Sequence, residues 1–368
     1  MRIEISKKDF FEGIQTVNRA VSSKTTLPIL SGILLKTEED KVKLVATDLE
    51  IGIEFYVKAN IIKDGAIVLP AKYFTSIVRE LSDTQIILTA DLSNNTAQIK
   101  CGQAQFNIHG SSSDEFPLLP KINSKTRFTI YQNTLKEMIN QVKFAISDDI
   151  SKPFLTGGLL KFEEKNLLLV ATDTYRLSYK KVKFDRKDII GEEVIIPNKT
   201  LNEISKLLNN NEDLVEISIT SNQILFKFSG VTIVSRLIDG QFPNYKQVIP
   251  KKNNTKAIIN KVELLNATKR ASLLAKRDSN IIKINLQEDQ LIITANVPEI
   301  GQAYERISIS LTGQETEIAF NATYLMDCLK VITSEQVILE LSGSLSPGVI
   351  KDSSGDEYIY IIMPVRST

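Results

Sequence analysis

Hydrophobic and polar residues follow two different periods along this chain. Residues 84–89 and 223–228 place branched or aromatic residues at alternate positions or in short apolar runs, which predicts β-strands. Apolar residues in 8–21 and 72–81 recur instead at spacings of three and four, which predicts amphipathic helices. Strand-like segments dominate, and the helices do not alternate regularly with them. The pattern therefore predicts an α+β fold built on antiparallel sheets.

One short segment recurs at a long, fixed interval. Leu-Val-Ala-Thr-Asp occupies residues 44–48 and recurs 125 residues later at 169–173. A weaker copy, Ile-Ile-Thr-Ala-Asn, follows 123 residues after that at 292–296. In each copy an apolar strand ends in a polar turn.

Two further landmarks have the same period. Apolar strands that run into a helix recur at residues 66–70, 194–197 and 318–321. A Phe-Pro pair closes the first two copies, at 116–117 and 242–243. Three landmarks with one period predict three tandem copies of one domain, each with two helices. The predicted domains are residues 1–122, 126–251 and 254–368, separated by short polar stretches.

Charge and composition limit the functional classes. The 368 residues carry 45 Lys and Arg against 44 Asp and Glu, so any contact with nucleic acid must rely on uneven placement of charge. The N-terminal residues lack the apolar core of a signal peptide, and no apolar run approaches the length of a membrane span. A cytoplasmic protein without membrane partners is expected, with Cys101 and Cys328 as buried or neutral thiols.

The sequence offers no convincing catalytic site. Asp48 and Asp173 occupy equivalent places in two repeats, so they cannot form one carboxylate pair, and each is predicted to cap its own turn. His109 is the only histidine, and no nucleophile elbow, phosphate loop or cysteine-histidine cluster accompanies it. We therefore expect no catalytic residue, no metal and no cofactor.

The predicted helices carry more bases than acids on their polar faces. Such lysines often do no more than keep a helix solvated. If the helices share one surface, however, that surface would be basic, and it would contact duplex phosphates without regard to sequence. The bases predicted to face DNA are Lys24, Lys72, Arg79, Lys136, Lys143, Lys199 and Lys206.

Four motifs together resemble one family, and the resemblance runs from residue 1 to the C-terminus. They are Thr-Leu-Pro-Ile-Leu at 26–30, Ala-Thr-Asp at 171–173 followed by Arg176-Leu177, Asp-Gly-Gln-Phe-Pro-Asn-Tyr at 239–245, and Met-Pro-Val-Arg at 363–366. In this order they resemble the bacterial sliding clamps, the beta subunits of replicative DNA polymerase. The resemblance implies a head-to-tail homodimer that closes into a ring, with sheets outside and helices inside, around double-stranded DNA.

The resemblance also implies residues for each contact. The dimer joint would use Phe106 and Ile108 on one chain and Leu273 and Leu274 on the other; these residues could equally be ordinary core. Lys24 and Lys199 match bases of the family's inner rim. A pocket for extended peptides would be lined by Leu155, Thr172, Thr174, Tyr175, Arg176, Leu177, Pro243, Val248, Asn321, Tyr324, Ile361, Met363 and Val365.

Some positions depart from the family pattern. Thr174-Tyr175 replaces a small residue and His, and Pro347 stands where Ser is common. Asp149 takes the place of a neutral residue that contacts DNA in relatives. The departures at 174, 175 and 347 therefore bear on which peptide is preferred and not on where its pocket lies.

The resemblance implies a non-catalytic processivity factor. Its expected partners are the polymerase catalytic subunit, an ATP-driven clamp loader, repair polymerases, mismatch-repair proteins and ligase. Two alternatives stay open: a repeat-domain adaptor that binds peptides but not DNA, and a hydrolase whose site the motifs do not reveal.

Overall fold

The computed structural model of this chain describes residues 1–22, 26–120, 122, 126–184, 191–275, 280–297, 300–355 and 357–366. The chain divides into two compact units. Unit 1 comprises Met1–Thr134 and Lys206–Leu237, and unit 2 comprises Leu135–Ser205 and Ile238–Thr368. Strands of the second predicted repeat lie in both units.

Six α-helices lie in the described residues, two in each predicted repeat. They are α1 Lys7–Asn18, α2 Ala71–Glu80, α3 Gln132–Val142, α4 Asn198–Leu207, α5 Lys261–Ala275 and α6 Ala322–Val331. The N-cap Ser6 starts α1 by accepting a hydrogen bond from the Asp9 amide, and Phe10, Ile14 and Val17 form its buried face. The predicted helices are confirmed, with ends that differ by up to three residues.

Unit 1 contains two antiparallel sheets. Their strands are β1 Arg2–Ser6, β2 Gly32–Glu38, β3 Lys41–Thr47, β4 Ile51–Lys58, β5 Asn60–Lys63, β6 Ala66–Pro70, β7 Gln85–Asp91, β8 Thr96–Cys101, β9 Ala104–His109, β10 Thr126–Tyr131, β15 Leu214–Ile219, β16 Gln223–Phe228 and β17 Val231–Arg236. One sheet has the order β5-β1-β7-β8-β9, and the other has the order β10-β15-β16-β17-β4-β3-β2-β6. Strand β9 is therefore an edge strand.

Unit 2 contains one twelve-stranded sheet in the described residues. Its strands are β11 Gly157–Glu163, β12 Asn166–Thr172, β13 Arg176–Lys183, β14 Glu193–Pro197, β18 Thr255–Asn260, β19 Ile281–Leu286, β20 Gln290–Val297, β21 Gly301–Gly313, β22 Thr316–Asn321, β23 Gln336–Leu341, β24 Gly348–Asp352 and β25 Tyr358–Ile362. Their order is β14-β11-β12-β13-β25-β24-β23-β18-β21-β20-β19-β22.

Strand pairs join one repeat to the next inside each unit. In unit 1, β4 of the first repeat pairs with β17 of the second, and Gly52 lies opposite Val234. In unit 2, β13 of the second repeat pairs with β25 of the third, and Leu177 lies opposite Ile361. Leu177 follows Gly52 by the same 125 residues that separate the repeats. The two joints are therefore built from equivalent strands in equivalent register.

Apolar packing holds the helices on the sheets. Phe10 of α1 and Phe74 of α2 are fully buried, and their rings meet edge to face with centroids 5.5 Å apart. In the third repeat, α5 and α6 cover a core that includes Leu264, Phe320 and Leu325. None of the described helices combines the length and apolar character needed to cross a membrane.

Gly313 ends β21 in a conformation that other residues rarely adopt. Its φ is +101°, and a Cβ there would lie 2.0 Å from the carbonyl oxygen of Asn254. We predict that Gly313→Ala lowers the free energy of unfolding by roughly 2–4 kcal/mol, measured by urea denaturation. Gly343→Ala is the control, because it also has positive φ but meets no atom within 4 Å; it should cost about 1 kcal/mol. Equal losses would contradict the steric argument.

Candidate functional site

A cavity of about 230 Å³ opens in unit 2 at one end of the β13–β25 pair. Its wall consists mainly of apolar side chains from β12, β13, β25 and the segment that follows the Phe242-Pro243 pair. The lining residues are Leu155, Thr172, Thr174, Arg176, Leu177, Pro243, Asn244, Tyr245, Val248, Ile361 and Met363.

The floor of the cavity is part of a packed core. Leu155, Leu177, Tyr245 and Ile361 are each no more than 6% exposed and belong to one apolar cluster. At the rim, Val248 and Met363 are 44% and 37% exposed. A rigid apolar floor with exposed apolar side chains at its edge suits an apolar ligand group.

A tight turn at residues 172–176 shapes one wall. Asp173 Oδ1 accepts hydrogen bonds from the amides of Tyr175 and Arg176, both at 2.9 Å. Thr172 Oγ1 accepts from the Thr174 amide and donates to the Arg176 carbonyl. Thr174 takes a φ of +80°. The predicted capping role of Asp173 is confirmed, and Asp48 caps its own turn through the amides of residues 50 and 51.

Arg176 lines the cavity, but its charge is already compensated. Its Nε and Nη1 atoms donate to Asp173 and Asp327, each at 2.9 Å. Its guanidinium also lies 4.3 Å from the centre of the Tyr324 ring and 5.5 Å from that of Phe144. Burial lowers the pKa of Arg176, but Tyr360 and the two carboxylates outweigh it and raise the pKa overall. Arg176 therefore remains charged and shapes the wall without presenting a free cation.

Two tyrosines beneath the cavity stay neutral. The rings of Tyr179 and Tyr245 lie 6.0 Å apart. Burial, helped by Glu163, raises the pKa of Tyr179 to about 12. Burial likewise raises the pKa of Tyr245. The cavity floor therefore carries no phenolate charge at neutral pH.

The cavity brings together nine of the thirteen predicted pocket residues. Four lie beside it. Tyr175 is 62% exposed, and its carbonyl accepts from the Met363 amide. Asn321 caps α6, Tyr324 covers Arg176, and the amide of Val365 donates to Ala319. The sequence prediction missed Asn244 and Tyr245, although both directly follow the Phe242-Pro243 pair that it used as a landmark.

The residues predicted for the dimer joint are not all core. Phe106 on β9 is 39% exposed and borders a cleft of about 330 Å³ next to Ile77 and Leu81. Ile108, on the same strand, is half-buried. On α5, Leu273 is 69% exposed and Leu274 is half-buried.

Six of the seven bases predicted to face DNA fall into pairs spaced by seven residues. The spacing places the pair on α2 and the pair on α4 each on one helix face, whereas Lys143 follows the end of α3. Lys72 and Arg79 on α2 are exposed, as are Lys199 and Lys206 on α4. The two pairs occupy equivalent places: Lys72 and Lys199 each lie two residues after a proline at a helix start, and Arg79 and Lys206 each lie in the last turn.

The remaining bases differ in their surroundings. Lys136 and Lys143 are half-buried, and Lys143 Nζ donates to Ser205. Lys24 lies outside the described residues. Asp149 accepts hydrogen bonds from the hydroxyl and amide of Ser151, which lower its pKa. Its carboxylate is therefore charged and turned to its own loop.

The described residues contain no group of three or more His, Cys, Asp or Glu side chains that could hold a metal ion. Cys101 and Cys328 are free and buried, as the sequence predicted. Burial raises the pKa of the Cys328 thiol.

Comparisons with known proteins agree on one family. Family models for the N-terminal, central and C-terminal domains of the DNA polymerase III beta subunit match residues 1–120, 129–244 and 246–366. These matches support three tandem domains, while the exact limits given above stay predictions. The beta sliding clamp of Bacillus subtilis is 36% identical, with all of both chains covered.

Solved structures give the same result. The crystal structure of the DNA polymerase sliding clamp from Bacillus subtilis superposes with a TM-score of 0.96 at 36% identity, over 100% of both chains. A sliding clamp from Pseudomonas aeruginosa bound to griselimycin gives 0.94 at 29% identity, again over 100% of both chains. The chain therefore belongs to the DNA polymerase III beta subunit family of sliding clamps.

Proposed function

We propose that two copies of this chain close head to tail into a ring around duplex DNA and hold a polymerase there through the unit 2 pocket. The chain would itself catalyse no reaction. The proposal rests on the antiparallel strand pairs that join consecutive repeats, here called strand joints. Two such joints form inside the chain, between the first and second repeats and between the second and third, and the strands for a third joint have no such partner within the described chain. The register and burial of these joints provide the support.

Repeat equivalence identifies the strands of the third joint. Strand β4 corresponds to β13 and to the first part of β21, and β17 corresponds to β25 and to β9. Within the described part of the chain, β9 pairs only with β8, and the 301–308 part of β21 pairs only with β20. Each chain thus offers one complementary edge at β9 and one at β21. Joining such edges head to tail between two copies closes a ring of six repeats.

Burial at equivalent positions supports this joint. Ile233 and Tyr360 lie at the same position of the first two joints and are fully buried, whereas the equivalent Phe106 is 39% exposed. The residues opposite them, Ile53 and Ser178, are also fully buried, whereas the equivalent Tyr304 is 57% exposed. The expected register places Phe106 opposite Tyr304 of a second copy.

A side-chain contact next to the strand joint also has an equivalent. Phe144 lies twelve residues after the start of α3, and its ring is 5.6 Å from that of Tyr360. Leu273 lies twelve residues after the start of α5, and Phe106 is the equivalent of Tyr360. The exposed Leu273 of one copy would therefore pack beside Phe106 of the other, in the cleft near Ile77 and Leu81.

Contact with DNA would be electrostatic and independent of sequence. The exposed pairs on α2 and α4 repeat the same basic face in two domains, as a surface that follows the regular phosphate backbone requires. Each phosphate contact adds to the salt dependence of binding. The closed ring would keep the chain on DNA while these weak contacts let it slide.

The pocket would capture extended peptides from other replication proteins. Burying one Leu or Phe anchor contributes about 1.5–3 kcal/mol, whereas micromolar affinity requires roughly 8 kcal/mol. Several anchors must therefore engage together, and the partners can exchange. Because Arg176 is already paired, apolar anchors should dominate. Thr174, Tyr175 and Pro347 would modify the peptide preference.

The proposed partners are double-stranded DNA, a second copy of the chain, the polymerase catalytic subunit and a clamp loader. Repair polymerases, mismatch-repair proteins and ligase would use the same pocket through short peptides. The chain carries no nucleotide-binding motif, so the loader would supply ATP hydrolysis. A cytoplasmic location fits these partners. Tethering a polymerase to the ring raises its effective concentration at the primer end.

Leu273→Asp tests the proposed joint. A carboxylate there would be buried without a partner in the second copy, so the mass by light scattering at micromolar concentration should fall from two chains to one. Leu345→Asp is the matched control, because Leu345 is 70% exposed and Leu273 is 69% exposed. A Leu273→Asp variant that stays dimeric, or a wild-type chain that is monomeric, would contradict the joint.

Val248→Asp tests the pocket, with griselimycin as the probe. The charged side chain at the apolar rim should weaken binding at least roughly tenfold by calorimetry, because its desolvation opposes burial of the ligand. Val262→Asp is the control, since Val262 is a comparably exposed valine of unit 2, at 55% against 44%. Equal affinity of the two variants would exclude this cavity as the griselimycin site.

A further inference from the structure

Unit 1 contains a second cavity, which lies at the position equivalent to the unit 2 pocket. It measures about 130 Å³, against about 230 Å³ for the pocket. It lies at the same end of the equivalent strand joint, between β4 and β17. Its wall includes Leu49, Gly52, Leu119, Val234 and Arg236.

The two cavities share the same turn. Thr47 Oγ1 accepts from the Leu49 amide at 3.0 Å and donates to the Ile51 carbonyl at 2.9 Å, as Thr172 does in unit 2. Leu49 takes a φ of +76°, close to the +80° of Thr174. The first repeat therefore retains the backbone frame of the pocket.

The two cavities also share an apolar base. In unit 1, Leu34, Val45, Val68 and Phe116 form a buried cluster. Their equivalents in unit 2 belong to the cluster beneath the pocket, Leu159, Val170, Ile195 and Phe242. The two sites therefore differ chiefly in the side chains above this base.

The two sites differ at several lining positions, and one of these exchanges bears directly on the space available. Gly52 occupies the place of Leu177, so the first repeat lacks the side chain that forms part of the pocket floor. The space is taken by Leu119: a Cβ at Gly52 would lie 2.3 Å from Leu119 Cδ2 and 2.9 Å from its Cδ1. Leu119 also packs against the buried cluster, whereas the adjacent Leu118 is 92% exposed.

We propose that the first repeat keeps a second site for an aliphatic peptide anchor and that Leu119 is its resident occupant. The site accepts a leucine side chain, with Gly52 as its floor and Val234 as its wall, and the chain narrows it with its own segment 117–120. Each chain then offers one wide pocket and one narrowed cavity, so partner proteins compete for the wide pocket. This last consequence rests on the proposed peptide-binding function of unit 2; the occupancy of the first site by Leu119 does not.

The test removes the Leu119 side chain and adds a small peptide that resembles it. N-acetyl-leucyl-prolinamide reproduces Leu119 and Pro120, and N-acetyl-alanyl-prolinamide is the ligand control. Binding to the full chain is followed by methyl NMR of labelled Leu and Val residues. Leu119→Ala is compared with wild type and with Leu92→Ala, a variant of a leucine of unit 1 that is 44% exposed and outside the cavity.

In Leu119→Ala, the leucine probe should shift the Val234 and Leu49 methyl signals saturably. Leu119→Ala should bind the leucine probe roughly tenfold or more tightly than wild type and Leu92→Ala do. It should also bind the leucine probe more tightly than the alanine probe, because the two probes differ by the leucine side chain that the site would bury. Methyl signals of Leu177 and Val248 report the unit 2 pocket in the same spectra. If the unit 2 pocket does not bind peptides, its own signals will show this independently of the result at the unit 1 site.

Two outcomes would overturn the proposal. One is a folded Leu119→Ala chain whose Val234 and Leu49 signals ignore the leucine probe. The other is equal binding by wild type, which would mean that Leu119 does not occupy the site. If Leu119→Ala fails to fold, Gly52→Ala decides: its new methyl group should expel the Leu119 side chain, so that the Leu119 methyls lose their contacts to Val234. Unchanged contacts would exclude Leu119 as the occupant.

Discussion

Pairing between edge strands of consecutive repeats is the interaction on which the rest of this structure depends. The β4–β17 and β13–β25 pairs fix the register of neighbouring repeats, and each pair places a threonine-aspartate turn beside the end of the partner strand. A cavity opens at that end in both units. Because both joints use the same two strands of the repeat, a chain of three repeats leaves one strand of each kind without its partner. The binding surfaces are therefore products of the joint.

The side chains around the unit 2 pocket fix its shape and make it mainly apolar. Its turn is held by backbone hydrogen bonds to Asp173, so the wall is fixed before any ligand arrives. Arg176 is paired with two carboxylates and covered by an aromatic ring, which leaves the cavity mainly apolar. The first repeat has the same frame with Gly52 at the floor, and Leu119 fills the space. Exchanges in the lining thus distinguish the wider pocket of unit 2 from the narrower cavity of unit 1.

The sequence predicted what local pattern and repetition determine. The period located equivalent turns, and the helical spacing located the two helices of the first repeat, which the period extended to two in each copy. The polar residue after each strand predicted the capping by Asp48 and Asp173. Other features depend on contacts between residues distant in sequence. No local signal places Phe144 against Tyr360 or Leu119 over Gly52, and Tyr245 joins the cavity only because its segment folds back over β13. The distribution of the middle repeat's strands between the two units likewise depends on such contacts.

Retention on circular DNA tests the central claim most directly. The protein would be loaded onto a nicked circle with a clamp loader and ATP, freed of loose protein, and followed before and after the circle is cut once. A ring should stay on the intact circle through a high-salt wash, which removes electrostatic contacts, and should leave as soon as the DNA has ends. Protein that stays bound after the circle is cut, or that leaves the intact circle at high salt, would contradict topological binding.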